Sequence, residues 1–243
     1  MPVRVPPPFP RTALRRTAIA ALAGSALALL AAATPAKPVR WSSNVSITSV
    51  GAHLVGNPKA KVRVVEYFSY TCSHCADFAK LGSLPLKTQY IDKGLVLFEY
   101  RNLVRDPVDM TAALLARCGP VSAFAGNHDA IFAAQPVWLT KVVKATDAQK
   151  ASWFQGDTGA RARKIAADTG LTALMQTRGY SLAQVNACLD SEVAQAEVTG
   201  MTNIGLSADH VRGTPTFFVN GRDAEVTVWS ALKTKLDAAL KAP

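Results

Sequence analysis

Residues 66–75, EYFSYTCSHC, hold the side chains best suited to chemistry. Two residues separate Cys72 from Cys75, and His74 is one of them. A pair at this spacing can bind a metal, form an inert bridge, or exchange electrons as dithiol and disulfide. A bridge over so short a loop constrains little of the unfolded chain. Zinc usually needs a second close pair of ligands, and the rest of the sequence offers none at ligand spacing. The pattern therefore favours a redox pair and no metal.

The neighbouring elements support the redox interpretation. "KVRVVEYFSY" predicts a buried strand before the pair, and the apolar spacing after it predicts a helix. Cys72 is therefore expected at the N-cap or first position of that helix, where free N–H groups and the positive end of the dipole favour a thiolate. Cys75, one turn later, is placed to resolve a mixed disulfide. His74 is expected to stabilise the Cys72 thiolate, although an exposed histidine without a role is the alternative.

The N-terminus predicts an export signal in residues 1–33. Four arginines precede an apolar run from Ala18 to Leu30, and small residues follow it. The run is shorter than the about 20 residues of a membrane span, so we expect cleavage, after Ala33 or near Ala36, and a periplasmic location. An uncleaved anchor is the alternative. Residues 34–44 are expected to be a flexible lead-in.

Charge argues against a nucleic-acid partner. The chain carries 27 basic and 17 acidic residues, and removing the four arginines of the predicted signal lowers the net charge from +10 to +6. The remaining basic residues are scattered and are not combined with stacking aromatic residues.

The order of predicted elements defines an α/β fold. A strand, the helix after Cys72 and the strand "LVLFEYRNL" come first, about a hundred mainly helical residues follow, and "TPTFFVNGRDAEVTV" then predicts a hairpin at Asn220-Gly221 before a terminal helix. We therefore expect one mixed-sheet domain, residues 45–107 and 207–243, interrupted by a helical insertion at 108–206.

"EYFSYTCSHC" together with "GTPTFFVNG" resembles the DsbA-type branch of the thioredoxin superfamily, over about residues 50–240. The resemblance implies a thioredoxin-like fold and an exported thiol:disulfide oxidoreductase that gives its Cys72–Cys75 disulfide to reduced or unfolded exported proteins. It needs no cofactor beyond that disulfide, and a membrane quinone-linked thiol oxidase recharges it.

The resemblance also implies roles for further residues. Pro215 corresponds to a cis-proline facing the cysteines, which would expose the backbone of Thr214 to an extended substrate. Glu66 corresponds to a buried acid whose raised pKa suits proton exchange with Cys75. Ser73 replaces the proline of the best-known oxidases, and Thr214 resembles the threonine of disulfide isomerases. These two departures leave the balance between oxidase and isomerase open.

Two further cysteines, Cys118 and Cys188, fall on predicted helices of the insertion. An even cysteine count in an exported chain favours a structural disulfide between them, worth about 4 kcal/mol in the chain-entropy model. The alternatives are two buried free thiols, or a disulfide that tunes the active pair from a distance.

Three functions compete on this sequence. A monomeric oxidase is favoured, because too few residues precede the motif for the dimerisation domain of bacterial isomerases. An isomerase or reductase using the same cysteines is the nearest rival. A peptide-binding holdase would use the same groove without electron transfer.

Overall fold

The computed structural model describes residues 40–242. The predicted signal peptide (1–33) and residues 34–39 of the predicted lead-in lie outside the described residues. Within them, no helix is both long and apolar enough to cross a membrane.

A mixed sheet forms the base of the fold. Its strands in the described residues are β1 (Val45–Ile47), β2 (His53–Gly56), β3 (Val62–Phe68), β4 (Val96–Asn102), β5 (Thr216–Val219) and β6 (Arg222–Asp223). They are ordered β1-β2-β4-β3-β5-β6, with β3 and β4 parallel and every other pair antiparallel. The apolar β3 is therefore central, as its sequence predicts, and Glu66 pairs with Tyr100 on one side and Phe217 on the other.

Helix α1 (Ser73–Leu86) connects β3 to β4 and continues into a π-helical turn, Lys87–Ile91. The helices between β4 and β5 are α2 (Pro107–Ala116), α3 (Phe124–Ala133), α4 (Gln135–Lys144), α5 (Asp147–Ser152), α6 (Thr158–Thr169), α7 (Leu171–Thr177), α8 (Leu182–Leu189) and α9 (Glu192–Ser207). Helix α10 (Trp229–Lys241) ends the described chain. The expected α/β fold with a helical insertion is thus confirmed.

Helix starts follow their local sequence. Asp106 caps α2 by accepting from the N–H groups of Val108 and Asp109, and Pro107 occupies the first turn, where a missing N–H costs nothing. Ser181 and Gln184 form the capping box of α8 that their spacing predicts.

The prediction of a flexible lead-in is wrong for residues 41–44. Trp41–Ser43 form a 3₁₀ turn, and the Trp41 side chain packs on the core beneath the sheet. The Ser42 N–H donates to Asp92 Oδ1 at 2.9 Å, and Asn44 Nδ2 donates to the carbonyl of Gly56 at 2.7 Å. These tertiary contacts are invisible in the local composition, which only shows the absence of periodicity.

Two large apolar clusters hold the elements together. One lies between the sheet, α1 and α10, and includes Val64, Phe78 and Leu232. The other joins the carboxyl end of β3 and the two cysteines of the motif to the insertion, through Phe68 and Tyr70. The cysteines therefore lie where the sheet and the insertion share one interior.

Candidate active site

Cys72 is the N-cap of α1. Strand β3 ends at Phe68, a three-residue loop follows, and Cys72 keeps an extended backbone (φ −88°, ψ 123°) immediately before the first helical residue. Its side chain is only 5% exposed. The sulfur therefore lies at the end of a helix that carries unpaired N–H groups, as the sequence predicts.

The surroundings of Cys72 favour its thiolate. Its pKa is lowered to about 5, chiefly by a hydrogen bond from the Cys75 side chain. Burial acts in the opposite direction, while hydrogen bonds from the Thr214 side chain and the Cys75 backbone and the charge of Arg105 lower the pKa further. A thiol with this pKa is almost fully ionised at neutrality.

Cys75 and Glu66 have the opposite character. Cys75 is 1% exposed, and burial raises its pKa far above the ordinary value, with further contributions from the hydrogen bond to Cys72 and the charge of Glu66. Side chains alternate along a strand, so Glu66 lies on the same side of β3 as Val64 and Phe68. It is 2% exposed, and burial, together with the Cys72 charge, raises its pKa to about 8. One ionised sulfur thus adjoins two groups that keep their protons.

Thr214 and Pro215 face the pair. The Thr214–Pro215 peptide bond is cis. In its protonated form the Cys72 thiol donates to the carbonyl of Thr214 at 3.2 Å, across 142 residues of sequence. The structure therefore places the loop before β5 directly against the sulfur that the helix start presents.

His74 and Ser73 are exposed residues of the first turn of α1. Among residues 40–242, no hydrogen bond joins His74 to Cys72, and the charge of Arg105 is one of the causes that lower the Cys72 pKa. A role for His74 in stabilising the thiolate stays a prediction.

Gln135 also holds the cysteine loop by hydrogen bonds, and the sequence did not predict this residue. This side chain, 4% exposed at the start of α4, donates from Nε2 to the carbonyls of Tyr70 at 2.7 Å and Cys72 at 2.8 Å. More than 60 residues separate Gln135 from both partners, so no local pattern could have revealed it. The insertion thus supplies hydrogen bonds that fix the backbone of the active loop.

Cys118 and Cys188 are disulfide-bonded, with Cα atoms 5.4 Å apart. Cys188 lies in α8, as predicted. Cys118 lies two residues beyond α2 rather than on a helix. The bond connects the end of α2 to α8 across a separation of 70 residues.

An open, mainly apolar groove borders the loop on the side of the insertion. Its volume is about 290 Å³, and its lining includes Thr71, Pro107, Leu139, Trp153 and Phe154. Phe154 is 64% exposed. Unlike Trp153, which is buried, this ring is available to contact another molecule.

Nothing in the described part of the chain gathers three or more His, Cys, Asp or Glu side chains into a group that could hold a metal ion. Cys72 and Cys75 are both free thiols. The chemistry of the site is therefore that of two sulfurs with very different proton affinities.

A thioredoxin family model matches residues 48–238. The chain belongs to the thioredoxin family. The match covers strands β2 to β6 and the whole insertion, so the helices between β4 and β5 lie within the matched region.

Solved structures and curated proteins similar to this chain include proteins named for disulfide exchange. A crystal structure of a protein-disulfide isomerase from Novosphingobium aromaticivorans is 36% identical, with a TM-score of 0.75 over 79% of this chain and 98% of that one. Wolbachia pipientis alpha-DsbA1, at 19% identity, shares the fold with a TM-score of 0.62 over 77% of this chain and 89% of its own. A Rickettsia typhi protein, provisionally named a protein-disulfide oxidoreductase, is 31% identical over 189 residues, which cover 77% of this chain. The match spans only 62% of the Rickettsia protein's length.

Proposed function

We propose that the protein is a thiol:disulfide oxidoreductase that acts mainly as an oxidase, donating a Cys72–Cys75 disulfide to reduced proteins. The observation that carries the proposal is the lowered pKa of Cys72, about 5, beside the buried Cys75. Thiolate stabilisation exists only in the reduced form, so it favours accepting two electrons. Each pKa unit is worth about a factor of ten in that equilibrium.

The reaction takes place in two exchanges. A substrate thiolate attacks the Cys72 sulfur of the disulfide, a mixed disulfide forms, and Cys75 leaves as a thiolate that takes up a proton. A second substrate thiolate then attacks the substrate sulfur of the mixed disulfide and releases Cys72 as a thiolate. The substrate loses two electrons and gains a disulfide, while the cysteine pair is reduced. The low pKa of Cys72 makes it a good leaving group.

Glu66 serves the proton transfer in the first exchange. The leaving Cys75 sulfur is buried and strongly favours its protonated form. Glu66 is also buried, and its pKa of about 8 keeps it protonated at neutrality. It therefore acts as the proton donor to Cys75 and regains its proton later.

Substrates bind beside the sulfur as extended, unfolded chain. The backbone of Thr214, which lies against the Cys72 sulfur, offers main-chain hydrogen bonds that are independent of substrate sequence. Ser73 is exposed in the first turn of α1, next to Cys72. The groove around Phe154 accepts apolar side chains that a folded protein would bury.

The cellular compartment that suits this function is the periplasm. We propose that residues 1–33 direct export and are removed, that the mature protein acts as a monomer, and that a membrane quinone-linked thiol oxidase reoxidises the cysteines. No further cofactor is required, because the cysteine pair itself carries the electrons. Cys118–Cys188 then acts as a structural bond only.

An isomerase is the second candidate function. The Novosphingobium protein at 36% identity is named a protein-disulfide isomerase, and Thr214 matches the residue that isomerases place before the cis-proline. In an isomerase, the reduced Cys72 attacks an incorrect disulfide of the substrate. After the substrate disulfides have rearranged, Cys72 is released again, so the redox state of the enzyme is unchanged.

Equilibration with glutathione separates these functions. An oxidase has a potential far above the about −270 mV of thioredoxin and forms disulfides in a fully reduced test protein faster than it rearranges a scrambled one. A thioredoxin-like potential, or preference for the scrambled protein, would refute the oxidase.

Two variants check the mechanism. With a substrate that already contains a disulfide, Cys75→Ser should accumulate a mixed disulfide on Cys72. The Cys72 thiolate attacks that disulfide and releases one substrate thiolate, but the sulfur that would resolve the product is gone. Cys72→Ser should accumulate none and lose activity. An aggregation assay tests the holdase alternative. If Cys72→Ser suppresses the aggregation of an unfolded protein as well as the wild type does, and the wild type transfers no electrons, the protein is a holdase.

A further inference from the structure

The segment that enters the insertion makes an unusual set of contacts with the cysteine loop. Arg105, just before α2, donates from Nε to Ser69 Oγ at 3.1 Å and from Nη2 to Thr71 Oγ1 at 3.0 Å. Ser69 and Thr71 are in the loop that links β3 to Cys72. The guanidinium is thus held by two hydroxyl groups, one of them on the residue immediately before Cys72.

The two hydroxyls are themselves oriented by carboxylates of the same segment. Ser69 Oγ donates to Asp109 Oδ2 at 2.6 Å, and Thr71 Oγ1 donates to Asp106 Oδ2 at 3.2 Å. Because each hydroxyl has only one proton, its lone pairs are left for the guanidinium N–H groups. The carboxylates therefore fix the direction from which the hydroxyl oxygens accept hydrogen bonds, and this direction determines where the Arg105 guanidinium lies.

Asp109 also secures the backbone of the loop. Its Oδ1 accepts from the N–H of Tyr70 at 2.7 Å, and its Oδ2 accepts from the N–H of Arg105 at 3.1 Å. Asp109 and Ser69 are fully buried, so their hydrogen bonds are shielded from water, whereas Arg105 is exposed at the rim. The network therefore consists of a buried part, Asp109 and Ser69, and an exposed charged group, the guanidinium of Arg105.

We propose that Arg105 is a positioning residue for disulfide exchange, holding a guanidinium against the loop that carries Cys72, at a place set by Ser69 and Thr71. It touches no substrate atom in this role and acts through its charge. The inference rests on the proposed function only in taking Cys72 as the sulfur that is exchanged. Arg105 belongs to the segment that enters the insertion, so in this role the insertion contributes a charge to the active site.

The first experiment titrates the Cys72 thiolate in the reduced full-length protein by ultraviolet absorbance. Arg105→Gln should raise the pKa of Cys72 by about half a unit, the scale of an exposed charge pair, and thereby shift the glutathione equilibrium about threefold. Arg105→Lys keeps the charge but not the paired donors, so it should give a smaller rise. Arg222→Gln, an exposed change at the hairpin end of β5 away from Pro215, should give none.

Salt supplies an independent check. At about 1 M salt the screening length is about 3 Å, so the pKa of Cys72 in the wild type should approach that of Arg105→Gln. The variant itself should respond less. Glu66, Asp106, Asp109 and His74 are present in both proteins, so their contributions largely cancel in the comparison.

The second experiment tests positioning. Ser69→Ala changes no charge, so it can raise the Cys72 pKa only by releasing the cation or distorting the loop. If Ser69 acts through Arg105, the double variant Ser69→Ala with Arg105→Gln should have the same pKa as Arg105→Gln alone. Additive effects would refute positioning by Ser69.

The proposal is overturned if Arg105→Gln leaves the Cys72 pKa equal to that of the wild type and of Arg222→Gln. Failure of the proposed function gives a different result. In that case the wild-type potential is thioredoxin-like, yet the difference between wild type and Arg105→Gln remains measurable in the same titration.

Discussion

The pH dependence of folding stability provides the strictest test of the Cys72 environment. The perturbation is Cys72→Ser, compared with the wild type under reducing conditions. The pKa of the thiol falls from 9.0 to about 5 in the native state. A depressed pKa contributes stability that is fully present above the unfolded value and is lost as pH falls through the folded value.

The magnitude follows from this window. Between about pH 5 and pH 9 the thiolate contribution should rise by about 1.4 kcal/mol per pH unit. At pH 7, two units above the folded pKa, it amounts to about 3 kcal/mol. The gap in unfolding free energy between reduced wild type and Cys72→Ser should therefore be small near pH 5 and widen steadily up to pH 8.

The wild type alone would conceal this slope. Burial raises the pKa of Glu66 from 4.5 to about 8, and a raised carboxyl pKa contributes stability that is present at low pH and lost as pH rises to that value. The two groups therefore oppose each other between about pH 5 and pH 8. Since burial is the main cause of the Glu66 shift, most of it persists in Cys72→Ser and cancels in the comparison.

Urea unfolding at each pH, followed by fluorescence, measures the required free energies. The matched control is Glu66→Gln, which removes the Glu66 titration, so the stability of the reduced protein should rise more steeply with pH than that of the wild type. Asp109, whose pKa burial raises to about 7, opposes the rise in both proteins. A gap between wild type and Cys72→Ser that stays constant from pH 5 to pH 8, or that narrows, would refute the assignment of a stabilised thiolate.

Three further changes probe the supports of the site. Gln135→Leu should cost about 2–4 kcal/mol in urea unfolding, because two buried carbonyls lose their donor; a loss under 0.5 kcal/mol, compared with an exposed Gln→Leu control, would contradict this. Replacing Cys118 and Cys188 together by Ala should cost about 2–4 kcal/mol and leave the Cys72 titration unchanged; a shifted titration would instead show that the bond affects the active pair. Glu197→Gln should cost about 3 kcal/mol in thermal or urea unfolding, since it leaves the buried guanidinium of Arg117 without its counter-charge, and Arg117→Met with Glu197→Gln should recover part of that loss.

The sequence predicts those parts of the site that depend on local pattern. An apolar run followed by a helical pattern places Cys72 at a helix start, and the structure has it as the N-cap of α1. The Asn220-Gly221 hairpin between β5 and β6 was predictable for the same reason, because turn chemistry is set by adjacent residues.

The contacts that tune the site were not predictable from sequence. Arg105 lies 36 residues from Ser69, and Gln135 lies 63 residues from Cys72. Neither has a spacing that marks it, because hydrogen bonds between distant segments depend on how the insertion packs. His74 shows the converse. It lies between the two cysteines in sequence and was therefore predicted to act on Cys72, yet its side chain is exposed.

The interior shared by the two cysteines and the insertion has a consequence for unfolding. Cys72, Cys75, Phe68 and Tyr70 are in the same apolar cluster as the buried side chains of α2, α6 and α8. The helical block consequently has no separate hydrophobic interior with which to melt on its own. Heating should therefore give one cooperative calorimetric transition, in which the sheet and the insertion unfold together. The midpoint temperature of this transition should differ between the oxidised and the reduced protein.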